Sequence, residues 1–396
     1  MMRVGVVGNG ARISSLIDAV FREVVPDLRV VAIVDPDEKG ARSRLAECDR
    51  RDAVFYDDLP AMVAGAKLDA LAIGTRCNLH AEYAIAASEY DIPLFLEKPV
   101  ATSMDQALRL EDAFENSRCE VQVSFPLRVS PLYELANEYL RSGATGTAQH
   151  IMAVNYVPYG TVYWEAGYRD YAITQGLFLQ KATHDFDYLV HLMDSPIVRV
   201  AATATRGRVF GGHKPSGLVC SECENQAVCP ESPQNRMRNS SGGVLGDHLC
   251  VFSVDSGSPE AGMNEDCSSA ILDFASGAHG VYSQVFYARR DAASRGAIIS
   301  GYHGTLDFDW YRNDLRWVRH HSPFTTTVKA GEGLSHFGGD IELARDFCDL
   351  VVKGKPPRTD IRAGIQSIYG CLAAKESAET GAFVSVRQLG AYRREA

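Results

Sequence analysis

The chain has 396 residues, 46% hydrophobic and 23% charged, with a formal net charge of -10. That length and apolar content allow two domains with sizeable cores and exclude a disordered chain. The acidic balance, with no clustered basic run, disfavours a nucleic-acid surface, because phosphate binding needs a positive face.

From Arg3 to Val123 short β-rich runs alternate with helical patterns. "RVGVVG", "RVVAIVD", "LDALAIG", "IPLFLEK" and "EVQVSF" read as strands, and Ala11 to Val24 and His80 to Tyr90 carry apolar residues at helical spacing. Strands apolar on both faces and separated by helices imply a parallel sheet covered on both sides. The first strand begins within three residues of the N-terminus, leaving no room for a secretion signal. No apolar stretch approaches the roughly 18 residues of a membrane span. A cytoplasmic location, with neither membrane nor nucleic-acid partners, is expected. After Phe125 the pattern changes to strands with Gly-containing turns, such as "SSAILDFASGAHGVYSQVFYARR" and "AIISGYHGTLDFDW", which suggest a mainly antiparallel sheet. The predicted fold is α/β: a Rossmann-type parallel-sheet domain over 1–125, then an α/β domain over 126–396 with a large open, mainly antiparallel sheet. The segment 206–247 is too long and too rich in Gly, Ser, Pro and Cys for an ordinary connection and reads as an insertion.

The first motif is "VGVVGNGARISSL". It sets Gly8, Asn9 and Gly10 between the first strand and first helix, where a backbone can approach a pyrophosphate and helix N–H groups point at it. Gly8, Asn9, Gly10, Ala11, Arg12 and Ile13 are the candidate cradle; Ile13 stands where a third glycine is usual, and Arg12 could help hold a phosphate. Asp35, ending the second strand, is at the position of the carboxylate that accepts hydrogen bonds from the adenosine ribose. Its charge would repel a 2′-phosphate, so NAD is expected rather than NADP.

The second motif, "LFLEKPVATS", ends an apolar strand in Glu97-Lys98-Pro99, and the third, "KATHDFD", holds His184 and Asp187. With "GVVGNGA", "AIGTRCNLHAEYAIAA", "LRVSPLYELANEYLRSGATG", "GYHGTLDFD" and "HFGGDIELARDF", the chain resembles the Gfo/Idh/MocA family, the glucose-fructose oxidoreductase and inositol dehydrogenase group, over nearly its whole length. The resemblance implies that Lys98 lies beside the nicotinamide and the reacting hydroxyl, Glu97 lies near the cofactor, and the bond before Pro99 is cis. It matches Thr75, Asn78 and His80 to the loop over the nicotinamide, with Arg76 replacing the usual proline. It aligns His184 with the catalytic histidine and Asp187 with the acid that follows it; Gln180 replaces an aspartate.

A lysine near a cationic nicotinamide and partly desolvated loses preference for its ammonium form, and a neutral imidazole can take a hydroxyl proton as hydride leaves the same carbon. His184, Asp187, Tyr188 and His191 fall on one helical face as a polar stripe. Tyr163, Trp164, Arg169 and Lys181, with Lys98 and His184, are candidate substrate-binding residues for a sugar. The expected activity is NAD-dependent oxidation of a secondary hydroxyl on a sugar, sugar derivative or cyclitol, or the reverse. The alternative is an NAD-dependent glycosidase that oxidises transiently and eliminates; a dinucleotide-binding scaffold without turnover ranks below both. Family resemblance also points to a homodimer or homotetramer through the open sheet.

Seven of the ten cysteines are scattered, as in reduced thiols. The other three form Cys220-x2-Cys223-x5-Cys229 inside the insertion, a metal spacing. A structural zinc on Cys220, Cys223, Cys229 and His248, with Cys250 as the other choice of fourth ligand, would explain how a segment without its own core stays ordered.

Overall fold

The computed structural model describes residues 1–240, 246–253, 263–330 and 335–390. Residues 241–245, part of the insertion read at 206–247, lie outside the described residues. The chain divides into two compact units, one of Met1–Glu134, Glu332–Tyr369 and Gln388–Ala396, the other of Leu135–Gly331 and Gly370–Arg387.

The first unit is built on a six-stranded sheet of β1 (Arg3–Val7), β2 (Arg29–Val34), β3 (Val54–Phe55), β4 (Ala70–Ile73), β5 (Leu94–Leu96) and β6 (Val121–Val123), in the order β3-β2-β1-β4-β5-β6. Every neighbouring pair is parallel. The five apolar runs named above supply five of these strands. The sixth, Val54–Phe55, is a two-residue strand at the sheet edge and carries no run long enough to read. The first predicted helix forms as α1 (Ala11–Leu16), continued by a wider π turn at Ile17–Phe21 and a last turn at Arg22–Val24. The helix expected at His80 is α2 (His80–Ala87).

One helix from far along the chain belongs to this unit. In α3 (Gly339–Lys353), Phe347 stacks on Phe21 at 5.7 Å and meets the edge of Phe95 at 5.6 Å, while Phe21 and Phe95 meet at 5.1 Å. Such pairs add about 0.5–1.5 kcal/mol each beyond the area they bury. Gln122 on β6 also donates to the Leu343 carbonyl at 2.9 Å. The segment read as part of the second domain therefore completes the apolar cover of the parallel sheet.

The second unit is built on a nine-stranded sheet in the order β14-β13-β12-β11-β7-β10-β9-β8-β15. Its strands are β7 (Ala148–Tyr156), β8 (Ile197–Thr205), β9 (Cys267–Phe274), β10 (His279–Val285), β11 (Ser294–Gly301), β12 (Gly304–Asp309), β13 (Asp314–Arg319), β14 (Thr325–Lys329) and β15 (Val384–Ser385). Only β7 and β10 pair in parallel. Alternation sorts the faces: Ile151, Ala153, Ala270, Leu272 and Tyr282 point inward and are buried, whereas Met152, Ile271 and Val281 are exposed on the other side.

Against the inner face lies α4 (Thr183–Leu192). The expected polar stripe is not a solvent face: His184, Asp185, Phe186, Asp187, Tyr188 and Leu189 are all buried. Asp185 explains how a charged turn is tolerated there. It accepts from Arg295 of β11 at 2.9 Å, Asn155 of β7 at 2.9 Å and Tyr282 of β10 at 2.8 Å, tying the helix to three strands.

Candidate active site

In the first unit the turn after β1 opens α1 with Gly10 as its N-cap. Gly8 has a φ of +76°, and a Cβ there would come within 2.7 Å of the Thr75 backbone. Only glycine fits, so the turn and the loop after β4 approach closely and frame a backbone cradle at a helix N-terminus. Asp35 at the end of β2 accepts from the Asn9 N–H at 2.9 Å and the Asp37 N–H at 2.8 Å. Asn9 is buried and donates through its side chain to the Ala41 carbonyl at 2.9 Å. Ala11 is exposed at the mouth of the turn.

Ile13 does not line this cradle; its side chain is fully buried in the apolar core. The room a third glycine would give comes from Gly74, where a Cβ would lie 2.5 Å from that of Ile13. Small and large residues have exchanged places across the helix–strand contact.

Arg12 is engaged elsewhere than expected. Its guanidinium pairs with Asp340 at 2.8 Å and Glu97 at 3.3 Å. Burial opposes its charge, yet the two carboxylates raise its pKa further above the usual arginine range. With two anions beside it, Arg12 has little charge left for a phosphate. Asp340 also accepts from His336 at 2.9 Å. Although burial pushes the other way, His336 and Arg12 hold its carboxyl well below the usual range.

Lys98 lies two residues beyond β5 and is half-buried; the Lys98–Pro99 bond is cis. Glu97 is buried and accepts from Ser124 at 3.2 Å. His80 sits between two carbonyls, with Nδ1 at 2.8 Å from Pro99 O and Nε2 at 3.1 Å from Thr75 O. Burial lowers its pKa. A neutral imidazole carries one N–H, so His80 donates to one of these carbonyls and packs its other nitrogen against the second, between the Lys98 turn and the Thr75 loop. Beside it, the Asn78 side-chain oxygen is buried and has no hydrogen-bond partner among the described residues, an acceptor available to a bound group. The cradle, the carboxylate and this open acceptor suit a dinucleotide.

In the second unit His184 and Asp187 are both buried on α4. Lys181, one turn before His184, is 5% exposed and donates to the Tyr159 hydroxyl at 2.8 Å. Tyr163 and Trp164 do not take the sugar-stacking role expected of them. Trp164 is fully enclosed, 4.6 Å from Phe210, and Tyr163 meets Phe286 at 5.4 Å, so both rings are core. Arg169 is buried and donates to Ser253 at 2.6 Å. Tyr159, Asp185 and Arg295 escaped the sequence reading. Asp185 adjoins His184 and could have been weighed, whereas Arg295 has no local signal.

Cys220, Cys223, Cys229, His248 and Cys250 line one small pocket, but no group of three or more His, Cys, Asp or Glu among the described residues is arranged to hold a metal ion. His248 is engaged on both nitrogens, with Nδ1 at 2.9 Å from Leu249 O and Nε2 at 3.2 Å from Arg236. Arg236 is itself buried and binds Glu165 and, at 3.1 Å, Thr161. The insertion is held to the segment that carries Tyr159 by this arginine.

A parallel sheet of order 3-2-1-4-5-6 with a glycine turn after β1 and a carboxylate after β2 defines a Rossmann dinucleotide-binding domain. Residues 2–125 match the model of an oxidoreductase family with an NAD-binding Rossmann fold, and residues 133–307 match the GFO/IDH/MocA C-terminal domain. The chain belongs to the Gfo/Idh/MocA oxidoreductase family. It is 29% identical over 206 residues to inositol 2-dehydrogenase 2 of Saccharopolyspora erythraea, covering 52% of this chain and 58% of the relative. To inositol 2-dehydrogenase of Corynebacterium glutamicum it is 27% identical over 229 residues, covering 57% and 64%. The match thus spans less than two thirds of either relative. Levoglucosan dehydrogenase in complex with NADH superposes with a TM-score of 0.73 at 18% identity, covering 98% of this chain and 99% of that one, a likeness of fold. No helix among the described residues is long and apolar enough to cross a membrane.

Proposed function

We propose that the protein is an NAD-dependent dehydrogenase that moves hydride between nicotinamide and a secondary hydroxyl of a sugar or cyclitol. The observation that carries the reading is the glycine cradle with Asp35, in a chain whose family is defined by an NAD-binding Rossmann domain. Bound NAD would supply the hydride acceptor. Gly8, Asn9, Gly10 and Ala11 would meet the pyrophosphate, Asp35 the ribose, and Thr75 and Asn78 the nicotinamide end. Lys98, His184 and Asp187 are assigned to the reacting hydroxyl, and Lys181 and Arg169 to the substrate side. In this reading 1–125, with α3 packed on its sheet, forms the NAD domain and the rest of 126–396 the substrate and assembly domain. The inositol and levoglucosan dehydrogenases among its relatives and structural neighbours make cyclitols and anhydro-sugars the first substrates to try. NADH accumulation on a panel of these tests the activity; release of an aglycone from aryl glycosides without net NADH would assign the site to a glycosidase instead.

The open sheet face is proposed as a homo-oligomer interface. Met152, Ile271 and Val281 are 41%, 46% and 37% exposed on it, beside a groove of about 570 Å³. Ten cysteines, seven of them scattered along the chain, accord with a reducing, cytoplasmic location. Zinc on Cys220, Cys223 and Cys229 is kept as a proposal because the thiols share one pocket; with His248 bound to Arg236, Cys250 is the better fourth ligand. The thiols would have to turn inward on binding, and metal analysis decides it.

A further inference from the structure

Lys181 and Tyr159 form a buried cation–phenol contact just before α4. Asp185 is committed to Arg295, Asn155 and Tyr282. Lys181, 5% exposed, meets a phenol: its Nζ donates to the Tyr159 hydroxyl at 2.8 Å. A buried ammonium hydrogen-bonded to a phenol favours the anionic form of that neighbour. Tyr159 is that neighbour, and as a residue it remains 38% exposed, so it is backed by a buried amine and still reachable. Gln180, next to Lys181, cannot titrate and offers no charge to the pair.

We propose that Tyr159, backed by Lys181, is the base that takes the proton from the substrate hydroxyl. This rests on the dehydrogenase reading and refines it, leaving Lys98 and His184 to hold and orient that hydroxyl. In the oxidation the alcohol C–H bond breaks with its electron pair passing as hydride to NAD, the O–H proton passes to the phenolate oxygen, and a C=O bond forms. Alcohol and NAD become ketone and NADH, and the phenol later yields its proton to water. Lys181 touches no reacting atom. It is a positioning residue whose charge favours the phenolate.

The surroundings agree. The charge of Lys181, first, and that of Arg295 lower the Tyr159 pKa against the effects of burial and Asp185. Burial, helped by Arg295, lowers that of Lys181, while Tyr159 and Asp185 oppose it. Tyr163 and Tyr311, which also face Tyr159, are pushed the other way, chiefly by burial, and stay neutral phenols.

Two measurements on the NAD-bound full chain test the pair. Ultraviolet difference titration of the parent against Tyr159→Phe should show one phenolate forming below the ordinary tyrosine value of about 10. Lys181→Met should move it up, and Lys181→Arg should keep it low. With inositol, levoglucosan or whichever panel polyol yields NADH, Tyr159→Phe should lower kcat on the order of a hundredfold with little change in KM, and remove the alkaline-rising limb of the pH profile. Lys181→Met should shift that limb upward, and Lys181→Arg should restore it. Unchanged NAD affinity in each variant shows that the fold is kept. The proposal is overturned if no phenolate titrates low, or if the limb survives in Tyr159→Phe and is lost in His184→Gln, which makes imidazole the base. Absence of NADH formation from every polyol would instead remove the dehydrogenase reading itself, with the titration still reporting on the pair.

Discussion

Replacing Asp35 with serine should weaken NAD binding and erase the preference over NADP, and the structure sets how much. The carboxylate has about four acceptor positions. Two are used by the Asn9 and Asp37 N–H groups, at 2.9 and 2.8 Å, so the remaining ones can receive the ribose hydroxyls. A hydrogen bond to a charged acceptor contributes about 1.5–3 kcal/mol, which is about 10- to 150-fold in affinity. The substitution has a second cost. Asn9 is 1% exposed, and its backbone N–H would lose the oxygen that fixes the glycine turn. Leaving such a donor unpaired costs about 1–3 kcal/mol, paid partly as a looser cradle for either dinucleotide. Asp35→Ser should therefore bind NAD at least about 10- to 150-fold more weakly, the ribose term alone, and gain little absolute affinity for NADP. Fluorescence titration of the reduced cofactors measures both. Equal affinity of the parent for NADH and NADPH, or an Asp35→Ser variant within twofold of the parent for NADH, would refute the reasoning.

Lys98→Ala and His184→Ala should each reduce turnover on the order of a hundredfold or more while NAD binding stays measurable, since the cradle is untouched; full turnover in either would show that residue has no part in the chemistry. Arg295→Met should destabilise the fold by about 3–5 kcal/mol in urea unfolding, because Asp185 is left buried and charged, and adding Asp185→Asn should recover much of the loss; additive losses would count against the pair. Because the Asp340 carboxyl is held below its unfolded value of about 3.9, the stability it lends is present above that pH and lost as pH falls toward the folded value, so Asp340→Asn should flatten the acid side of the stability curve. Identical acid limbs would disprove that coupling. Elemental analysis of protein purified without added metal should find one zinc per chain, and chelation should open the insertion to protease before it affects NAD binding; zinc well below one per chain with freely titratable thiols rules the site out. Ile271→Arg should shift the light-scattering mass from oligomer to monomer, and a monomeric parent at micromolar concentration would remove the interface.

The parallel sheet, the glycine turn, Asp35 and Lys98 at a strand end were legible from the sequence because each is a local signal: apolar runs, a turn that only glycine tolerates, a polar residue where a strand stops. The mainly antiparallel second sheet was legible for the same reason, through period-two alternation. Tertiary structure alone decided what those residues do for one another. Ile13 in a glycine's place is explained only by Gly74, far along the chain, which makes the space. Arg12 reads as a phosphate ligand until Asp340, more than three hundred residues away, takes its charge. Trp164 and Tyr163 look like sugar platforms until Phe210 and Phe286 close over them. His80 proved to be buried between two carbonyls. Tyr159 and Arg295 gained meaning only when folding set them beside Lys181 and Asp185. The physical reason is that local propensity and pattern act over a few residues, whereas burial and charge pairing are settled by whichever residues the fold brings together, and these leave no mark on either partner's own stretch of sequence.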